Sequence, residues 1–115
     1  MTTVTMNTES KLYHVLQNQV TGSDKKLMMS LLKHMTTDMN ILTVNGDTLT
    51  SIMKDTGMSE SHVRNSLSKL SKLGLIESSR LLRSEYIINP SLGYKGNEYE
   101  VWKMYSMYEE QRKAK

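Results

Sequence analysis

A mainly helical α+β fold with one small sheet is predicted by three observations on this chain of 115 residues. Apolar residues recur at helical spacing in separate stretches along the chain. Short β-branched or aromatic runs lie between those stretches and suit strands. Gly57 and Gly74 stand where two of the helical patterns stop, as expected of residues that take the left-handed conformation without steric cost.

Residues 1–10, MTTVTMNTES, are Thr-rich and aperiodic, and are expected to form a flexible arm. Lys11 to Gln19 suits either a strand or a short helix. Thr21-Gly22-Ser23 is a break, and Ser23 is the expected N-cap of a first long helix, with Asp24 in its first turn. Leu27, Met28, Leu31, Leu32 and Met35 give that helix its apolar face, and it is expected to end near Thr36 to Asp38. Ile41 to Val44 read as a strand. Asp47 is the expected cap of a second helix with Leu49, Ile52 and Met53 inward. Ser59 caps a third, whose inner face is Val63, Leu67 and Leu70. Leu75 to Glu77 and Tyr86 to Ile88 read as strands around a polar, basic tip, Ser78 to Glu85. Pro90 ends the second of these, and Gly93 and Gly96 mark a loop. Asn97 with Glu100 resembles a capping box ahead of a last helix, Glu98 to Lys113.

This order is helix, strand, helix, helix, strand, strand, helix. Two helices joined by a tight Gly-containing turn, followed by a hairpin, define a winged helix-turn-helix. It is assigned to residues 11–96, with residues 97–115 as an additional C-terminal helix.

Composition excludes several functions. The absence of Cys removes disulfides, thiolate catalysis and Cys-based zinc sites. His14, His34 and His62 lie too far apart for a metal site, and no phosphate loop or nucleophile motif is present. No enzyme activity and no cofactor are therefore expected. No apolar run approaches the ~20 residues of a membrane span, and the start lacks the character of a leader. A cytoplasmic protein without membrane contact is expected. The ten Met are read as packing material.

The formal net charge is +3. All of that excess falls between Met58 and Arg83, which hold five basic and two acidic residues. Such a localised basic patch suits a polyanion. On the third helix, Ser61, Asn65, Ser68 and Lys72 point away from the apolar face, flanked by His62, Arg64 and Lys69. Ser59 lies at the start of the same helix. Arg80 and Arg83 sit at the hairpin tip. These side-chain types read base edges or grip phosphates, so they are the expected contacts to double-stranded DNA. The C-terminal helix is apolar around most of its circumference. A homodimer interface anchored by Tyr99, Val101, Trp102, Tyr105 and Tyr108 is therefore expected, with packing across its own domain as the alternative.

Three stretches carry a family resemblance: Asp38-Met39-Asn40 leading into ILTVN, the passage GMSESHVRNSLSKLSKLGLIES, and the tail EYIINPSLGYKG from Glu85 to Gly96. Together they resemble winged-helix replication proteins of plasmids and phages, notably the firmicute RepL family. The resemblance implies binding at a replication origin and recruitment of host replication proteins. The helix-turn-helix part is shared with MarR-like and Crp-like regulators. A transcriptional regulator or plasmid-partition adaptor on the same fold stands beside the replication role, as does a winged helix that only contacts protein. A core this small is expected to leave no room for a metabolite pocket, so action by occupying DNA is expected.

Overall fold

The computed structural model describes residues 5–35, 40–79 and 82–113, with side chains to residue 111. The elements in chain order are β1 (Thr5–Met6), α1 (Lys11–Asn18), α2 (Gly22–His34), β2 (Ile41–Thr43), α3 (Gly46–Thr56), α4 (Glu60–Lys72), β3 (Ile76–Ser78), β4 (Glu85–Ile88), β5 (Gly93–Tyr94) and α5 (Glu98–Lys113). This is a winged helix-turn-helix: α3 and α4 form the helix-turn-helix and β3–β4 the wing.

The residue patterns account for most of the boundaries. Gly57 ends α3 at φ 73°, and the three residues before α4 make the tight turn. Within it, the Thr56 hydroxyl donates to Ile52 O and accepts from Met58 N–H. Ser59 caps α4, its hydroxyl accepting from His62 N–H at 3.2 Å. Gly74, at φ 80°, closes the far end of α4.

Elsewhere the caps shift. The N-cap of α2 is Thr21, not Ser23; its hydroxyl accepts from Asp24 N–H, so Ser23 falls inside the helix. The N-cap of α3 is Asn45, and Asp47 lies in the first turn. Lys11–Asn18 is a helix, capped by the Ser10 hydroxyl. The expected arm is tied down from Thr5 onward. Thr5 and Met6 pair antiparallel with Tyr94 and Gly93, and Asn7 N–H donates to Leu92 O. The expected end of α2 at Thr36 to Asp38 lies outside the described residues; the helix itself runs to His34.

The main sheet is antiparallel in the order β2-β4-β3. Its register sets Ile41 opposite Ile87, Leu42 opposite Tyr86, Ile76 opposite Ile88, and Ser78 opposite Tyr86. Strand alternation gives it two distinct faces. Leu42, Ile76, Tyr86 and Ile88 face the helices and join Leu27, Leu31, Ile52, Val63, Leu67 and Leu70 in the main core. Ile41 and Ile87 face the other way, where Tyr105, Tyr108 and Met104 of α5 cover them. Helix α5 thus packs across its own domain.

Buried polar groups fasten the chain between these layers. Asn40 is fully buried. Its amide donates to Ile88 O at 3.0 Å and Gly93 O at 2.7 Å, and its carbonyl accepts from Lys95 N–H at 3.0 Å. The Lys95 ammonium then donates to Met35 O at 3.0 Å, capping the end of α2. Replacing Asn40 by Ala strands two carbonyls and one N–H out of reach of water. Unsatisfied buried groups cost roughly 1–3 kcal/mol each before relaxation. Asn40→Ala is expected to lower stability by about 3 kcal/mol, read as a lower urea midpoint with an unchanged slope.

Candidate nucleic-acid interface

Helix α4 is amphipathic, and its inward face fixes what faces out. Val63, Ser66, Leu67 and Leu70 are buried. Ser61, His62, Asn65, Ser68, Lys69 and Lys72 are exposed, as the spacing predicts. Ser61, Asn65, Ser68 and Lys72 make one stripe along the helix with no carboxylate in it.

Arg64 lies half-buried beside that stripe, on the side toward the wing. Its Nη1 donates to the Ser84 hydroxyl at 3.4 Å, and its Nε lies 3.9 Å from the Glu60 carboxylate. Glu60 sits at the solvent-exposed start of α4, where the helix dipole favours an acid. Ser84 itself holds φ 64° in the turn that leads into β4. Arg83 is exposed at the wing. Arg80, the other expected wing contact, lies outside the described residues. The expected site residues on α4 and Arg83 are thus brought to one side of the molecule, α4 beside the wing.

Two features were hidden from sequence reasoning. The first is Asp24, only 2% exposed at the start of α2. The Ser66 hydroxyl donates to it at 2.9 Å, and the Lys69 ammonium lies 2.8 Å from its other oxygen. Burial pushes the Asp24 carboxyl up, but bonds from Lys69, Ser66 and Thr21 outweigh it and hold the group below the ordinary aspartate value. Lys69, an expected DNA contact, is thereby engaged in locking α4 onto α2. The signal was available as Ser66 and Lys69 three apart, but nothing in the sequence paired them with Asp24. The second feature is a set of hydroxyls on the flank of α4 that faces the wing: Ser71 of the helix, Ser78 of β3 and Tyr86 of β4.

The expected dimer anchors divide. Val101, Tyr105 and Tyr108 are buried within their own chain, so they are not available as surface anchors. Tyr105 accepts from the Asn89 side-chain amide at 3.1 Å, and the Tyr108 hydroxyl donates to Glu85. Burial, and after it the Glu85 carboxylate, push the Tyr108 phenol well above its usual range. Tyr99 and Trp102 remain exposed, at 71% and 38%. Among the described residues no helix is long and apolar enough to cross a membrane, and no group of three His, Asp or Glu could hold a metal ion.

Residues 39–78, running through α3 and α4 into β3, match the family described as bacterial regulatory protein, arsR family. No curated protein and no solved structure matches the chain. The helix-turn-helix is thus similar to that of a bacterial regulator family, and the match ends at residue 78, short of the stretch from Glu85 to Gly96.

Because the Asp24 carboxylate is favoured in the folded state, it stabilises the fold above its ordinary value of 3.8, and that contribution is lost as pH falls through the lower folded value. Lys69 is half exposed, so solvent screens the pair. Asp24→Asn is expected to reduce stability by about 1–2 kcal/mol at pH near 7. The gap to wild type should begin to narrow as pH falls below about 4 and close only below the lower folded value. Urea titrations of both proteins across that range measure it; a gap independent of pH rules out the ionised pair as its source.

Proposed function

We propose that the protein is a regulator of transcription that binds a specific sequence of double-stranded DNA, with α4 in the major groove and the wing against the adjoining minor groove. The observation that carries this reading is the exposed stripe of Ser61, Asn65, Ser68 and Lys72 lying beside the wing with Arg83. Asn is suited to adenine edges and Ser to either donors or acceptors, while the cations suit phosphate. The match of residues 39–78 to a bacterial regulator family supports the same reading. The proposed mechanism is occupancy of DNA, needing no cofactor and no chemistry.

A second reading, an origin-binding replication protein, is favoured by the likeness of Glu85 to Gly96 to the RepL tail. Several residues of that tail have a fold-building task here. Asn89 donates to Gly74 O at 3.0 Å, Gly93 pairs with β1, and Lys95 caps α2. The likeness therefore speaks for shared architecture ahead of shared role. Footprinting on DNA flanking the gene, followed by disruption of the reading frame, separates the two. Derepressed neighbours at unchanged copy number support the regulator; lost copy number supports replication; unequal inheritance alone supports a partition adaptor.

At the site found by footprinting, Asn65→Ala is expected to relax preference at one base pair, worth about 1–3 kcal/mol. Arg83→Ala is expected to weaken binding to all sequences and to flatten the salt dependence. Gel shifts over single-base variants at several salt concentrations read both. Wild-type affinity in both variants would sink the assignment of helix and wing.

The bound form is proposed to be a homodimer, formed through the exposed side of α5 around Tyr99 and Trp102, because paired half-sites match paired modules. Sedimentation of the wild type should show a dimer at tens of micromolar, and Tyr99→Ala with Trp102→Ala should shift it to monomer while leaving the fold intact. A wild-type monomer at that concentration overturns the interface.

A further inference from the structure

A groove of about 260 Å3 runs between α4 and the wing. Its polar lining comprises Arg64, Ser68, Ser71 and Lys72 from α4, Ser78 from β3 and Tyr86 from β4. Arg64, Ser68 and Ser71 fall four and three residues apart, which puts them on one flank of the helix. Ser78 and Tyr86 are cross-strand partners, so their side chains leave the same face of the sheet side by side. The acids of the wing, Glu77 and Glu85, alternate onto the opposite face, toward α5. Among the described residues, no carboxylate lines the groove. Two cations with hydroxyls around them suit a phosphate oxyanion, which accepts charge-assisted hydrogen bonds on several oxygens.

The docking geometry says which phosphate. A recognition helix in the major groove and a wing against the next minor groove straddle the one sugar–phosphate strand that separates those grooves. That strand has to pass between α4 and the wing, where this groove lies. We propose that the groove seats a single backbone phosphate of the bound DNA, held by Lys72 and Arg64 with the hydroxyls of Ser68, Ser71 and Ser78. The proposal rests on the DNA-binding reading. The seat carries no sequence information; it sets the register in which the remaining members of the outer stripe, Ser61 and Asn65, meet the bases. Arg64 is already held toward the wing by Ser84, so little ordering is needed when the phosphate arrives.

The test uses the full chain and its footprinted duplex, with methylphosphonate replacing one phosphate at a time. One position, on the strand between the helix footprint and the wing footprint, should weaken wild-type binding about tenfold when neutralised. Lys72→Gln should weaken binding to ordinary DNA to a similar extent, lower the slope of log affinity against log salt by about 1 and keep the ranking of base-pair variants. It should lose nothing further when that one phosphate is neutral. Ser78→Ala should show the same non-additivity with a smaller loss. Lys72 is exposed, so thermal unfolding of the variant should match wild type. If Lys72→Gln responds to every methylphosphonate as wild type does, the seat is wrong while DNA binding stands. If wild type binds no duplex at all, the DNA reading falls and the seat with it.

Discussion

Strand β4 must be covered on both sides, and the rest of the fold follows from that requirement. Tyr86 and Ile88 project to one face and Ile87 to the other, with both isoleucines fully buried. Helices α2 to α4 can cover only the first face. Leaving Ile87 in water would forfeit roughly 2 kcal/mol on its own, and Ile41 lies beside it. Helix α5 supplies the second cover with Tyr105, Tyr108 and Met104. It is therefore part of the core, and the wing is a sheet held from behind.

Asn89 follows directly on this strand, where three elements meet. Its amide bonds to Gly74 O, at the exit of α4, and to the Tyr105 hydroxyl of α5, while its backbone N–H bonds to Leu75 O. Asn40 performs a parallel task on the other side of the sheet, reaching Ile88, Gly93 and Lys95. Both are amides because each must donate and accept at one point, fully buried at Asn40 and half-buried at Asn89. A hydrophobic residue of similar size would fill either space but leave carbonyls unpaired. The position of α4 relative to the wing thus depends on directional bonds, which tolerate less displacement than apolar contact does.

The regular elements were legible because local physics decides them. Helical spacing and the stops at Gly57 and Gly74 fix α3 and α4, and β-branched or aromatic runs mark β2 and β4. Misplaced caps at Ser23 and Asp47 show the limit of local reading. Several residues near a helix start can cap it, and tertiary packing selects among them. The sequence left Lys11 to Gln19 open between strand and helix and suggested a flexible arm at Thr5 and Met6, for a related reason. Thr5 and Met6 carry no strand signal and pair because β5 offers them an edge. The outward stripe of α4 was readable from period alone. Asp24 was not, since its partners lie 42 residues away at Ser66 and beyond. Nor was the inward commitment of Val101, Tyr105 and Tyr108, because an all-round apolar helix does not say which of its sides its own domain takes.

Counting charge along the chain also misjudges how the charge is used. Five basic residues lie between Met58 and Arg83. Lys69 is paired with Asp24, and Arg64 divides its guanidinium between Ser84 and Glu60. Among the described residues of that set, Lys72 and Arg83 stand exposed and are held by no such pairing. The pairing of Lys69 is useful for another reason. Asp24 packs against α4, and an unpaired acid there would oppose an approaching phosphate. Burial hides it, Lys69 neutralises it, and Ser66 ties it to the inner face of the helix. One cation is thereby withdrawn from direct contact, while the helix that carries the others is held in place and an opposing charge is cancelled. The field at this interface is set less by the number of positive residues than by where the fold has put the negative ones.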